Sequence, residues 1–100
     1  MSCEYTSPEI NEALRSARAV HFRLEDEYHP FDWEERLENA ALLREIAADT
    51  EGRTRQLAEA VEFRLESEAF DFSDWPDRCD TIQLTRALIA DLIRQEGGAL

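Results

Sequence analysis

The sequence contains no lysine and has only three glycines, three prolines and two cysteines. No apolar run approaches the length of about 20 residues that a membrane-spanning helix needs. The first ten residues, MSCEYTSPEI, have neither the basic nor the apolar region of a secretory signal. Cys3 and Cys79 are far apart and belong to no metal-binding or redox motif. These absences exclude a disulfide scaffold and favour a cytoplasmic protein that does not enter a membrane.

Acidic residues dominate the charge: 23 Asp and Glu face eleven Arg, which gives a net charge of −12. Direct binding to nucleic acid or to an anionic membrane needs a positive surface, so both are disfavoured. Residues 21–40 and 61–80 each sum to −5, whereas residues 81–100 sum to zero. Adaptation to high salt would spread acidic residues over every exposed face. The concentration of charge in two segments instead favours a specialised surface that meets a positively charged partner.

The two acidic segments belong to an internal sequence repeat. Residues 19–27 read AVHFRLEDE and residues 60–68 read AVEFRLESE, so seven of nine positions are identical at an offset of 41. After one inserted residue the match continues at an offset of 42, which pairs Asp32-Trp33 with Asp74-Trp75. The later matched positions are Arg36 with Arg78, Leu42 with Leu84, and Arg44 with Arg86. We interpret this pattern as the duplication of one helix–loop–helix unit.

Hydrophobic periodicity predicts four helices, over about residues 8–28, 33–49, 53–69 and 75–96. Helix-start and helix-stop signals agree with these limits: Ser7-Pro8, Asp32 with Glu35 three residues later, Gly52, and Asp74. The expected fold class is all-α. A single domain over residues 1–100 would form a four-helix bundle made of two duplicated αα-hairpins, about 8–49 and about 53–96.

The segments Val20–Leu24 and Val61–Leu65 also alternate between apolar and polar residues, as a strand would. Their flanks are rich in Ala, Glu, Arg and Leu, so helix is favoured. In a helix, Phe22 and Phe63 form a second apolar patch, where we expect one hairpin to meet the other. The expected core of the last helix includes Cys79 and Ile93.

No arrangement of residues predicts catalysis or a cofactor. His29 follows Asp26 by three positions, which is half of a helical metal-binding pair, but the second copy has Phe70 at the corresponding place. Nucleophilic catalysis needs a nucleophile, a base and an orienting group, and no local motif joins the two Cys and two His. We therefore expect a protein that is not an enzyme and that holds no metal and no cofactor.

The two loops that follow the repeat combine aromatic and acidic side chains. In a purely structural interpretation, the rings close the ends of the hairpins and the acids cap helices. Like charges at this density cost stability, however, and we expect these clustered acids to have no Lys or Arg partners. A binding role would explain their retention. The candidate binding residues are Glu25, Asp26, Glu27, Asp32, Trp33, Glu34, Glu35, Glu66, Glu68, Asp71, Asp74 and Asp77.

In size, acidity and lack of a catalytic motif, the chain resembles the small acidic inhibitors encoded by phages and mobile elements, including DNA mimics and anti-CRISPR proteins. The resemblance implies an inhibitor that docks on a basic nucleic-acid-binding protein or nucleoprotein complex and blocks access of the nucleic acid. These families share no motif, so no family residue is carried over. Two alternatives remain: an interaction or assembly module, a homodimer among them, and an immunity or antitoxin-like protein directed against a basic nuclease.

Overall fold

The computed structural model of the chain describes residues 8–97, which form four α-helices. They are α1 (Pro8–Glu25), α2 (Trp33–Ala48), α3 (Gly52–Glu66) and α4 (Trp75–Gly97). The helices pack as one bundle, so the all-α, four-helix prediction is confirmed. None of the helices in this part of the chain is long and apolar enough to cross a membrane. The predicted cap at Ser7 and the residues Cys3 and Gly98 lie outside the described residues.

Spatial neighbours in the bundle come from different halves of the sequence. α1 packs most extensively against α4, and α2 packs most extensively against α3. Because successive helices run in opposite directions, the α1–α2 loop and the α3–α4 loop lie at the same end of the bundle. Phe31 and Phe72, one from each loop, meet there with ring centroids 5.6 Å apart. The molecule is elongated, with principal extents of 46 × 21 × 19 Å. The end that carries the two loops is therefore about 21 × 19 Å across.

The core runs along the bundle axis and is built from small and branched apolar side chains. Val20, Leu24, Val61 and Leu65, which are the first and last residues of the repeated Val-x-Phe-x-Leu pattern, are fully buried. Burying a side chain of this size contributes about 1.5–3 kcal/mol. The core residues are Ala13, Leu14, Ala17, Val20, Leu24, Ala40, Leu43, Ile46, Ala47, Ala58, Val61, Leu65, Phe72, Ile82, Leu88 and Leu92.

The prediction that Phe22 and Phe63 join the two hairpins is wrong. Phe22 is 73% exposed and Phe63 is 62% exposed. Each lies two residues after a buried valine, and two residues turn an α-helix by about 200°, so the ring points away from the core. Two expectations for the core of α4 are also wrong. Ile93 is 44% exposed, and Cys79 is only partly buried.

Both repeated segments leave the helical conformation three residues earlier than predicted. α1 ends at Glu25 instead of Tyr28, and α3 ends at Glu66 instead of Ala69. Tyr28 and Ala69 are consequently exposed. Gly52 begins α3 with a φ of +61°, in the left-handed region that glycine adopts readily. It therefore does not end α2, whose C-cap is Asp49.

Candidate functional site: the acidic end of the bundle

A buried arginine from the first half holds the end of α3. Arg36 is only 7% exposed. Its Nε donates to the Leu65 carbonyl at 2.9 Å, and its Nη2 donates to the carbonyls of Arg64 at 2.9 Å and Ser67 at 2.6 Å. The last carbonyls of a helix have no partner within the helix, and they carry partial negative charge. The guanidinium therefore satisfies these groups, although burial lowers the pKa of Arg36.

Arg78 does the same for the end of α1. Its Nε donates to the Leu24 carbonyl at 2.8 Å. Its Nη2 lies within hydrogen-bond distance of three further carbonyls: Arg23 at 3.1 Å, Asp26 at 2.7 Å and His29 at 3.0 Å. Arg78 is buried, and burial lowers its pKa. This arginine fixes the first residues of the α1–α2 loop, which explains why α1 stops before Tyr28.

Two aromatic rings complete the junction between the loops. The guanidinium of Arg36 lies 4.6 Å from the centroid of Phe72, and that of Arg78 lies 4.9 Å from the centroid of Phe31. Each cation thus faces a ring that belongs to the loop of the other half of the chain. Phe72 is buried and Phe31 is half-buried, so these two rings do close the end of the bundle. The loops are held as one surface.

A second pair of arginines bridges the halves on the outside of the bundle. Arg44 Nε donates to Glu62 at 3.0 Å, and its Nη2 contacts Glu66. Arg86 Nη2 donates to Glu25 at 2.5 Å. The hydrogen bond to Glu62 is the main cause that raises the pKa of Arg44. The expectation that the clustered acids have no Arg partners is therefore wrong for Glu25 and Glu66, whose partners come from the other half of the chain.

In the α1–α2 loop, three acids serve the local structure. Asp26 accepts a hydrogen bond from the Tyr28 backbone N–H at 3.0 Å. Asp32 is the N-cap of α2 and accepts from the Glu35 N–H at 2.8 Å, as predicted. The Glu35 carboxylate does not return this bond, because it pairs with His29 Nε2 at 2.6 Å. That bond is the main cause that lowers the pKa of Glu35.

In the α3–α4 loop, two acids serve the local structure. Asp71 accepts hydrogen bonds from the Ser73 N–H at 2.9 Å and from the Ser73 hydroxyl at 2.6 Å, and these bonds lower the pKa of Asp71. Asp77 accepts from the Asp71 N–H at 2.9 Å. The structural interpretation of the acids therefore applies to part of the set.

Four other acids of the candidate set make no direct side-chain contact among the described residues, although Glu68 interacts electrostatically with Arg36. Glu27, Glu34, Glu68 and Asp74 are exposed and make no ion pair or side-chain hydrogen bond in the described part of the chain. All twelve candidate residues lie in the two loops and in the helical turns next to them, at one end of the bundle. We call this surface, formed by the twelve candidate residues listed above, the acidic end.

The two tryptophans of the chain are half-exposed rather than buried. Trp33 is 44% exposed and Trp75 is 49% exposed, and each is the first residue of its helix. The indole of Trp33 lies over the Arg36 guanidinium, with 5.1 Å between the guanidinium carbon and the ring centroid. The interpretation that the aromatic residues only close the hairpins is thus wrong for the two tryptophans, which present ring surface to solvent.

An open cleft of about 450 Å³ lies along the α1–α2 loop and is also lined by Phe72, Ser73 and Arg78 from the second half. Aromatic side chains, Arg78, Glu27 and Asp32 are among the groups that line it. The donors of Arg78 already face backbone carbonyls, so the cleft offers no free guanidinium to an anionic ligand. Within residues 8–97 no group of three His, Cys, Asp or Glu side chains is placed to hold a metal ion.

The contacts of Arg36, Arg44, Arg78 and Arg86 with the other half of the chain were not predicted from the sequence. The signal was present, because the repeat pairs Arg36 with Arg78 and Arg44 with Arg86. No protein-family model, curated protein or solved structure matches the chain.

Proposed function

We propose that this chain is a non-enzymatic acidic binding protein that inhibits a basic nucleic-acid-binding protein or nucleoprotein complex. The acidic end would occupy the basic surface and exclude the nucleic acid, in the manner of a DNA mimic or an anti-CRISPR protein. Carboxylates would take the place of phosphates opposite Arg and Lys side chains of the partner. The partner is a protein or complex, and the chain itself does not bind nucleic acid.

The observation that carries this proposal is the convergence of the two acidic segments on one end of the bundle. That end holds eleven carboxylates, and the bundle is 21 × 19 Å across. Duplex DNA carries one negative charge per about 1.7 Å of its axis, hence about 12 charges over a length of 20 Å. Arg36, Arg44, Arg78 and Arg86 offset part of this charge, so the acidic end is clearly negative but carries less net charge than a duplex of the same length. Such a field would also speed the approach of a basic partner.

We further infer that the acidic end arose by duplication of one αα-hairpin. Support comes from contacts that connect the halves in corresponding pairs. Arg36 bonds the Leu65 carbonyl, and Arg78 bonds the Leu24 carbonyl. The two arginines are 42 residues apart and the two leucines are 41 residues apart, which are the offsets of the sequence repeat.

An interaction or assembly module, a homodimer among the possibilities, is the second candidate. The exposed rings of Phe22 and Phe63 favour it, because a small protein gains nothing from leaving two phenylalanines in water. The net charge of −12 opposes it, since two copies repel each other. Light scattering at low and high ionic strength distinguishes the candidates: a dimer that persists at low salt would favour the assembly module.

The proposed function is tested by capture from a host lysate. The immobilised protein is incubated with nuclease-treated lysate, bound proteins are eluted with salt, and mass spectrometry identifies them. Each captured protein is then purified and its binding to labelled DNA or RNA is measured with and without the chain. We expect a basic nucleic-acid-binding protein that loses its nucleic acid to the chain. A captured nuclease would assign the immunity or antitoxin-like alternative.

A matched pair of variants locates the surface. The first variant removes four charges from the acidic end, at residues without structural partners: Glu27→Gln, Glu34→Gln, Glu68→Gln and Asp74→Asn. The control removes four charges from exposed residues of the rest of the bundle: Glu12→Gln, Glu45→Gln, Asp49→Asn and Glu51→Gln. We expect capture and competition to fall for the first variant only. Equal loss in both variants, or loss in neither, would refute the assignment of the surface.

A further inference from the structure

We propose that the cleft along the α1–α2 loop is the binding site for one arginine side chain of the partner. The inference rests on the proposed function, because it names the group of the basic partner that the acidic end recognises. Three groups that line the cleft would hold the guanidinium: the ring of Tyr28 and the carboxylates of Glu27 and Asp32.

The cleft has the size and the support of a binding site. Its volume of about 450 Å³ lies within the range of about 300–1,000 Å³ that ligand pockets usually have. Two of its lining rings, Phe31 and Phe72, pack against each other with centroids 5.6 Å apart, and Phe72 is buried. The Tyr28 backbone N–H donates to Asp26 at 3.0 Å and so holds the turn that carries Tyr28. The walls of the cleft are therefore part of the packed end of the bundle.

Each phenylalanine ring of the two loops already faces a guanidinium of this chain. The distances from the guanidinium carbon to the ring centroid are 4.9 Å for Phe31, 4.1 Å for Phe70 and 4.6 Å for Phe72. Tyr28 is 86% exposed, and its ring makes no aromatic or cation contact within residues 8–97. The tyrosine ring in the cleft therefore lacks the cation that the phenylalanine rings have, and an arginine from a partner would supply it.

Two carboxylates of the cleft can accept hydrogen bonds from this guanidinium. Glu27 is exposed and makes no ion pair or side-chain hydrogen bond in the described part of the chain. Asp32 uses Oδ1 to cap α2, accepting from the Glu35 N–H at 2.8 Å, and its Oδ2 has no hydrogen-bond partner among residues 8–97. A guanidinium is planar with five N–H donors, so it can stack on a ring and donate to carboxylates at its edge. An ammonium group cannot stack in this way, which favours arginine over lysine.

The positive charge of Arg78, which also lines the cleft, is offset from within the chain. Arg78 is only 6% exposed, and its donors face backbone carbonyls, those of Leu24 and Asp26 among them. Carbonyl oxygens at the end of a helix carry partial negative charge. The Asp26 carboxylate also interacts electrostatically with this guanidinium. The unpartnered Glu27 therefore leaves the cleft with negative charge to offer a cation.

The probe is N-acetyl-arginine amide, titrated into the unaltered chain at moderate salt and followed by NMR. N-acetyl-citrulline amide has nearly the same shape without the charge, and N-acetyl-lysine amide has the charge without the planar group. We expect saturable shifts centred on Tyr28 and Glu27, with a dissociation constant on the order of 10 mM for arginine. Binding of the citrulline and lysine compounds should be weaker by about fivefold or more, because each lacks one of the two interactions.

Two matched pairs of variants locate the site. Glu27→Gln removes an unpartnered carboxylate from the cleft, and Asp74→Asn removes one from the same end outside the cleft lining. Tyr28→Leu removes the exposed ring of the cleft, and Phe22→Leu removes an exposed ring of α1. We expect the dissociation constant for the arginine compound to rise about two- to fivefold in Glu27→Gln and in Tyr28→Leu, and to stay nearly unchanged in the controls. Tyr28→Phe keeps the ring and should bind like the unaltered chain.

Absence of saturable shifts would overturn the proposal, as would equal losses in Glu27→Gln and Asp74→Asn, because charge alone would then explain the binding. Equal binding of the citrulline or the lysine compound would overturn the assignment to arginine. The substituted residues are exposed, and the NMR spectrum of each variant shows whether it folds. The proposed function is read separately, by lysate capture and by competition with nucleic acid. It fails if no basic partner is displaced from nucleic acid, even when the cleft binds arginine.

Discussion

Arg36 and Arg78 hold corresponding positions in the two halves of the chain, and each binds the helix that the other half contributes. Arg36 Nε lies 2.9 Å from the Leu65 carbonyl, and Arg78 Nε lies 2.8 Å from the Leu24 carbonyl. Each guanidinium satisfies carbonyl groups at the C-terminus of a helix that belongs to the other hairpin. The two halves are thus connected by reciprocal polar contacts at the same end that displays the acidic residues.

Removal of either buried arginine should destabilise the bundle strongly. In Arg78→Met, the carbonyls of Leu24 and His29 lose the Arg78 donor and the Asp26 carbonyl keeps only the His29 N–H, while methionine fills much of the space. An unsatisfied buried polar group costs about 1–3 kcal/mol, so we expect the free energy of unfolding to fall by about 3 kcal/mol. Arg36→Met should lower the free energy of unfolding by a similar amount, because carbonyls at the end of α3 lose the same kind of donor. Urea denaturation followed by circular dichroism measures both.

Arg55→Met is the matched control for these arginine variants. Arg55 is exposed and pairs only with Glu59, four residues away on the same helix. Such a pair contributes about 0.3–0.5 kcal/mol. If Arg78→Met were no more destabilising than Arg55→Met, the buried contacts described for Arg78 would not hold the two halves together.

Substitutions at Val61 and at Phe63, two residues apart in the repeat, should differ in their effect on stability. Val61 is fully buried, so Val61→Ala should lower the free energy of unfolding by about 1–3 kcal/mol through lost burial and the cavity left behind. Phe63 is 62% exposed and makes only an edge contact with the ring of Phe70, so Phe63→Ser should lower the free energy of unfolding by no more than about 1 kcal/mol. Thermal or urea unfolding of the two variants provides the comparison. A large loss in Phe63→Ser would show that the ring is buried in solution, in this chain or against a second copy.

The Glu35–His29 contact should make stability depend on pH in a defined direction. Because the pKa of Glu35 is lowered in the folded chain, its contribution is present above the pKa of the unfolded state, near 4.5. It is lost as the pH falls through the lower folded value. We expect the unaltered chain to exceed Glu35→Gln in stability by about 1 kcal/mol at pH 7. The difference should vanish in acid.

Unfolding curves of the unaltered chain and of Glu35→Gln, measured at moderate salt over a series of pH values, test this expectation. Glu59→Gln serves as a control, because Glu59 is exposed and its pairing with Arg55 is local. A difference between the unaltered chain and Glu35→Gln that did not decline as the pH fell below 4.5 would contradict the direction of the pKa shift.

Added salt should stabilise the protein if repulsion within the acidic end exceeds the attraction of the exposed ion pairs. The Debye length falls from about 10 Å at 0.1 M to about 3 Å at 1 M, so repulsion is largely screened. A gain of about 1 kcal/mol would raise the melting temperature by about 4–8 °C in a domain of this size. The variant that neutralises Glu27, Glu34, Glu68 and Asp74 should respond less than the unaltered chain.

Calorimetry in sodium chloride at constant pH measures the salt response. The Glu12, Glu45, Asp49 and Glu51 variant carries the same charge change elsewhere on the surface. If both variants lost the salt response equally, the repulsion would belong to the whole molecule and not to the acidic end.

The sequence was informative where the cause is local. Helical periodicity predicted all four helices, and the Asp32 cap was read from its spacing to Glu35. Local patterns were less informative about which apolar residues are buried. Phe22 and Phe63 resemble core residues by type, but they are 73% and 62% exposed, and the ring of Phe63 makes only an edge contact with Phe70 of the following loop. Periodicity assigns a residue to a face, and only packing decides which faces are covered.

The arginines show a similar division. Their spacing in the repeat was visible, but their partners were not, because the carbonyls that Arg36 and Arg78 bind are 28–31 and 49–55 residues away in the chain, apart from Phe72. The early ends of α1 and α3 follow from these distant contacts. A helix that could have continued stops where a buried donor takes its last carbonyls.

By itself the sequence determined the helical class, the number of helices, the excess of negative charge and its concentration in two segments, since each depends on composition or on neighbouring residues. The tertiary structure decided that both segments lie at one end, that some of their acids are paired while others are free to meet a partner, and that the tryptophans are half-exposed. These properties depend on which helices pack together. That choice is set by the contacts between the halves, α1 with α4 and α2 with α3, and no local pattern in the chain specifies it.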